Sequence, residues 1–119
     1  MTTISSFREL DVWREGHKLV LMVYKATQSF PSDERFGLIS QMRRSALSVP
    51  ANIAEGFKRR GIQDKIHRYN IAEASLEELK YYFIVAEDLG YTSTAGLTVQ
   101  SEIVGRLLNG FIESTERRR

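Results

Sequence analysis

Residues 41–56 read QMRRSALSVPANIAEG and combine a helical pattern with an internal proline. The apolar residues of this stretch recur at spacings of three and four, which is the pattern of one face of an α-helix, and the pattern continues in phase across Pro50. A proline inside a helix removes one backbone hydrogen bond and crowds the preceding turn, at a cost of roughly 3 kcal/mol. The unbroken phase predicts one long helix that is kinked at Pro50.

The same spacing occurs on both sides of this stretch. Phe30-Pro31, Gly61 and Gly90 interrupt it, as expected of residues that end helices. Because the linkers are short, neighbouring helices are expected to run antiparallel. The sequence therefore predicts an all-α, antiparallel up-down-up-down four-helix bundle in one domain over residues 1–119, with helices at about 9–29, 34–59, 62–89 and 95–116.

Composition limits the classes of function. The chain has 119 residues, 42% of them hydrophobic, and no cysteine, so disulfides, thiolate metal sites and thiol catalysis are excluded. No apolar run approaches the length of roughly 18 residues that a membrane span needs, and no signal peptide is recognisable. We expect a cytoplasmic protein that does not associate with a membrane.

Charge is segregated along the chain. Residues 43–68 carry seven basic and two acidic side chains, whereas residues 69–116 carry a large acidic surplus and the chain ends in three arginines. Such a distribution suits binding of a polyanion, pairing with another copy of the chain, or simple solvation of helix faces. The candidate phosphate-binding residues are Arg43, Arg44, Lys58, Arg59, Arg60, Lys65 and Arg68.

A row of small polar residues follows the second helix beside Pro50. At 100° per residue, Gln41, Ser45, Ser48, Asn52 and Arg59 fall on one line, which Glu55 borders. Glu55 and Arg59 are four residues apart in the favourable order, so we expect them to pair. Small side chains permit close approach of another helix. The row predicts an oligomer interface or support for the kink, with ligand contact and plain solvation as alternatives; its residues are Ser45, Ser48, Pro50, Asn52 and Glu55.

Catalytic and metal-binding patterns are weak. A di-iron bundle needs two Glu-x-x-His motifs and two further carboxylates, but the chain offers only the near match Asp64-Lys65-Ile66-His67. The serines lack a base nearby in sequence. His17 lies on the apolar face of the first helix and is expected to be a core or interface histidine. We predict no enzyme activity, no metal and no cofactor.

Several short motifs occur together with residues 41–56. They are FRELDVW at 7–13, FP at 30–31, RFGL at 35–38, ASLEEL at 74–79 and DLGY at 88–91. In this order they resemble the bacterial four-helix bundle family of 23S rRNA intervening-sequence proteins. The resemblance implies a ring-like homopentamer. It also implies distant kinship with the accessory proteins of diversity-generating retroelements, which accompany reverse transcriptases and bind nucleic acid.

Charge and resemblance together predict a non-enzymatic, homo-oligomeric scaffold, with a pentamer as the expected assembly. Its predicted ligand is RNA or DNA, held through phosphate contacts from the basic side chains. The alternative is a protein–protein adaptor, for example one that docks a polymerase, with no direct role in nucleic-acid binding. That alternative depends on apolar surface beyond what one bundle needs, notably Ile71, Tyr82 and Leu89 of the third helix.

Overall fold

The computed structural model describes residues 3–118. It contains four α-helices, namely α1 (Asp11–Thr27), α2 (Leu38–Lys58), α3 (Ile62–Asp88) and α4 (Ala95–Glu116), and two short 3-10 helices at Phe7–Glu9 and Ser32–Glu34. The described residues include no β-strand. The predicted all-α four-helix bundle is confirmed.

Each helix packs against two others. α2 lies between α1 and α3, and α4 contacts the same two helices, so the four helices enclose one core. Along the contact between α2 and α3, residue numbers rise in one helix as they fall in the other: Ser45 meets Glu78, Ser48 meets Ser75, and Gly56 meets Tyr69. This register is the one expected of antiparallel neighbours. The up-down-up-down order of the whole bundle stays a prediction.

The start of α2 differs from its predicted position. The chain forms a 3-10 helix at Ser32–Glu34, and Gly37 adopts φ −111° and ψ −110°, outside the helical region. The α-helix therefore begins only at Leu38. Its first turn gains a hydrogen bond from the backbone N–H of Leu38 to Oε1 of Glu34, at 3.2 Å, which replaces a capping side chain at Gly37.

The core follows the predicted stripes in α2 and α3. Met42, Ala46, Val49 and Ile53 of α2 are buried, and in α3 all six residues of the predicted stripe are buried. In α1 the apolar residues form two adjoining stripes, one through Val12, Leu19 and Val23 and one through His17, Val20 and Thr27. The named residues of the first stripe are all buried, and Val20 and Thr27 of the second are buried as well. His17 lies on the second stripe but is exposed, so the prediction of a core histidine is wrong; whether it contacts another subunit is untested.

Pro50 lies inside α2, which continues from Leu38 to Lys58 without interruption. The proline is buried and packs beside Gly16 of α1, where a Cβ built on the glycine would lie 3.7 Å from the Cβ of Pro50. Burial of the ring against α1 is favourable and offsets part of the cost of the lost hydrogen bond. The kink at Pro50 stays a prediction.

The polar row of α2 faces α3 of the same chain. Ser45 Oγ donates to Glu78 Oε1 at 2.9 Å, and the hydroxyls of Ser48 and Ser75 lie 2.7 Å apart. Asn52 Nδ2 donates to the carbonyl oxygen and the hydroxyl of Ser48, at 2.8 and 3.0 Å. The row therefore supplies a hydrogen-bonded contact within the bundle. A role for it between subunits is untested.

At the end of α2, the close approach of α3 requires a glycine. A Cβ on Gly56 would lie 2.8 Å from Cδ1 of Tyr69 and closer still to Cε1. Real Cβ atoms do not approach ring carbons so closely. Tyr69 is 1% exposed and packs in turn on Phe111 of α4, with ring centroids 4.8 Å apart. The glycine therefore lets one aromatic ring join α2, α3 and α4.

We predict that Gly56→Ala destabilises the fold by about 1–3 kcal/mol, because the added methyl group overpacks the site of Tyr69. Gly110→Ala is the matched control, since no atom lies within 4 Å of a Cβ built at that helical position. The control should gain about 0.5–1 kcal/mol from the lower backbone entropy of alanine. Chemical denaturation of both variants measures the difference, and equal midpoints would contradict the packing argument.

We predict a positive coupling between Ser48 and Ser75. Each of Ser48→Ala and Ser75→Ala leaves one hydroxyl without its partner across the α2–α3 contact, whereas the double variant removes both. Denaturation of the two single variants and the double variant should give a coupling of about 0.5–1.5 kcal/mol. Additive losses would mean that the two hydroxyls do not exchange a hydrogen bond in solution.

Candidate nucleic-acid interface

Three consecutive cations occupy the turn between α2 and α3. α2 ends at Lys58, Arg59 leaves the helix with an extended backbone (φ −65°, ψ 148°), and α3 begins at Ile62. The backbone therefore changes direction between Lys58 and Ile62. We call Lys58, Arg59 and Arg60 the basic turn. All three are exposed, and among residues 3–118 no acidic side chain forms an ion pair with any of them.

Two carboxylates lie near the basic turn. Glu55 and Asp64 line the same shallow hollow as its three cations. Oε1 of Glu55 lies 3.8 Å from Nη1 of Arg68, so the predicted pair between Glu55 and Arg59 is wrong. The physical reason is that Arg59 is no longer helical, and the spacing of four residues loses its geometry. The pair with Glu55 leaves Arg68 partly neutralised, while Arg59 stays unpaired within the described chain.

Lys65 binds the end of α2 and does not add an exposed charge to the basic turn. Its Nζ donates to the carbonyl oxygens of Gly56 and Phe57, at 3.3 and 2.7 Å, and lies 5.5 Å from the centre of the Phe57 ring. These carbonyls belong to the last turn of α2, where cations are favourable. Burial, and then the positive charge of Arg118, lower the pKa of Lys65. Among the seven predicted cations, Lys65 is therefore one whose charged group already has partners within the bundle.

Arg43 is also committed to packing. Its Nε donates to Thr27 Oγ1 at 2.9 Å, its Nη2 donates to the carbonyl of Tyr24 at 3.4 Å, and its guanidinium carbon lies 4.5 Å from the centre of the Tyr24 ring. It joins α2 to α1. Arg44 is exposed but lies 14 residues before Lys58, about 21 Å along the helix. The seven predicted cations therefore do not form one patch.

Arg117 and Arg118 follow α4, which ends at Glu116, and they are not among the seven predicted cations. The charge of Arg118 acts on both Lys65 and Tyr69. Burial raises the pKa of Tyr69 to about 12, and the charge of Arg118 opposes that shift. Arg117 and Arg118 are both exposed. They bring positive charge to the same end of the bundle as the basic turn. Arg119 lies outside the described residues.

The structure offers little for metal chemistry. Asp64 and His67, the near match to a di-iron motif, have no further ligands: in the part of the chain that the structure describes, no three histidine, aspartate or glutamate side chains are grouped to hold a metal ion. None of the helices within residues 3–118 has the length and apolar character needed to cross a bilayer.

Comparison with known proteins identifies the chain at the level of its family. No curated protein gives a significant match. The family model of 23S rRNA-intervening sequence proteins matches residues 8–110, a span that includes α1, α2, α3, the basic turn and most of α4. Because this span covers most of the chain and the fold is the four-helix bundle that the resemblance implied, the protein belongs to the 23S rRNA-intervening sequence protein family.

Proposed function

We propose that this protein is a non-enzymatic, homo-oligomeric scaffold in the cytoplasm that binds RNA or DNA through phosphate contacts from the basic turn. The observation that carries the proposal is the state of Lys58, Arg59 and Arg60. They are adjacent, exposed and without an ion-pair partner among the described residues. Arg117 and Arg118 add charge at the same end of the bundle.

The chemistry of phosphate binding suits this surface. Contacts to the nucleic-acid backbone need flexible cations and carry no sequence information, so they require no fixed geometry of the side chains. Lys65 holds the turn in place through the last carbonyls of α2, which leaves the neighbouring side chains free to reach a ligand. The proposed binding is therefore sensitive to salt and shows little base preference.

An oligomer would strengthen weak contacts of this kind. If several chains form a ring, as the family resemblance implies, the basic turn is repeated around the axis and one polyanion reaches several copies. Linked binding events raise the overall affinity without any new contact. We propose a pentamer as this assembly.

A protein–protein adaptor is the second candidate function. Of the α3 residues predicted to provide surplus apolar surface, Leu89 is 54% exposed, whereas Ile71 and Tyr82 are half-buried. Tyr81 and Ile84, one turn apart on the same helix, are 60% and 58% exposed. They could contact a protein such as a polymerase. In that case the protein would have no direct role in binding nucleic acid.

We predict that the triple variant Lys58→Gln, Arg59→Gln and Arg60→Gln weakens binding of structured RNA and of duplex DNA. If the three cations each contact a phosphate, the plot of log K against log salt should become shallower for the duplex, and the magnitude of its negative slope should decrease by about 2 to 3. Fluorescence anisotropy at several salt concentrations measures affinity and slope, and sedimentation velocity in the same buffers reports the assembly.

The matched control changes Lys18, Lys25 and Arg35 to Gln. These cations are also exposed, so the net charge changes equally at a different surface. The proposal requires the control to keep the wild-type slope. Equal losses in both triple variants would indicate a general charge effect, and no binding by the wild type at low salt would favour the adaptor.

A further inference from the structure

A row of aromatic side chains begins beside the basic turn. The rings of Phe7 and Trp13 meet edge to face with centroids 5.0 Å apart, and Trp13 and His17 stack with centroids 5.1 Å apart and only 5° between their planes. We call Phe7, Trp13 and His17 the aromatic ladder. His17 is exposed, so the stack ends in a ring that solvent reaches.

The ladder and the basic turn are neighbours. Phe7, at the near end of the ladder, lines one hollow together with Phe57 and Lys58. Phe57 in turn carries the ammonium group of Lys65 above its ring. From Phe7 the ladder continues along one turn of α1, from Trp13 to His17, which lie about 6 Å apart along the helix axis. Cations and aromatic rings therefore follow each other along one path on the surface.

Hydrogen bonds hold the near end of the ladder in place. Oγ of Ser6 accepts from the backbone N–H of Arg8 at 3.2 Å, and Oε2 of Glu9 accepts from the backbone N–H groups of Ser5 and Ser6 at 2.8 and 3.3 Å. This capping box fixes the short 3-10 helix that carries Phe7. The rings are thus arranged before any ligand arrives, which lowers the entropic cost of binding one.

Exposed cations beside aromatic rings are typical of proteins that bind single-stranded nucleic acid. Proteins that bind single strands join a cationic track for the phosphates to aromatic rings on which bases stack, and every base has a π-face to offer. A duplex keeps its bases stacked on one another, so a surface ring on the protein gains little from it. A single strand can place its phosphates on the basic turn and a base on the open side of the stack.

We propose that the aromatic ladder is a stacking platform for unpaired bases of single-stranded RNA or DNA whose phosphates contact the basic turn. The inference rests on the proposed function, since the basic turn supplies the phosphate contacts. It adds a preference for single strands and assigns His17 as the outermost contact to the base.

The test compares His17→Ala with the matched control His67→Ala. Histidine occurs only twice in the chain, both residues are exposed, and only His17 belongs to the ladder. Trp13 is the only tryptophan, so its fluorescence reports directly on the stack. Oligouridylate, oligothymidylate and a duplex DNA of the same length are the probes.

We expect both single strands to quench Trp13 in the wild type and the duplex to leave its fluorescence nearly unchanged. His17→Ala should weaken single-strand binding about tenfold, the range of one lost base–aromatic contact, and should leave duplex affinity unchanged. His67→Ala should match the wild type with every probe.

Equal affinities of the two histidine variants for single strands would overturn the inference. The proposed function would still stand if the triple variant of the basic turn binds more weakly. A smaller sedimenting species for His17→Ala alone would also overturn the inference, because it would place the ladder in a subunit contact. Absence of binding to single strand and duplex at low salt would overturn both proposals.

Discussion

The close approach of Gly56 to Tyr69 is the constraint on which the basic end of the bundle depends. Because residue 56 has no side chain, the Tyr69 ring fits against the last turn of α2 and reaches Phe111 of α4. The carbonyls of that last turn then accept hydrogen bonds from Lys65, one turn into α3. α2, α3 and α4 are thereby fixed at one end, and the basic turn protrudes from a rigid base.

Helical periodicity accounts for most of the fold. The predicted stripes of α2 and α3 lie in the core, although α3 carries further apolar residues outside its stripe. α1 has two adjoining stripes, and contact with the neighbouring helices decides that Val12, Leu19 and Val23 are buried while His17 is exposed. α2 begins at Leu38, four residues after its predicted start, because residues 32–34 form a 3-10 helix that has no strong local signal in the sequence.

The candidate site was harder to predict because it depends on which cations already have partners. Arg43 finds its partners in α1, 16 and 19 residues away, and no spacing rule within one helix reveals them. Lys65 reaches back across the turn to α2. The contribution of Arg118 agrees with the predicted up-down-up-down order, because in that order α2 and α4 end at the same end of the bundle. A cluster of basic residues in sequence therefore does not give the charge that a ligand meets, because Arg43 and Lys65 are engaged by partners within the bundle and the end of α4 adds Arg117 and Arg118.

We propose that the basic turn and the aromatic ladder form one nucleic-acid surface. Backbone amide and Trp13 indole NMR shifts, recorded on isotope-labelled protein during titration with a single-stranded oligonucleotide, test this proposal. We expect the largest changes to fall on residues 58–61 and 117–118 and on the indole of Trp13. Changes confined to the exposed face of α3 around Tyr81 and Ile84, or no changes at low salt, would contradict it.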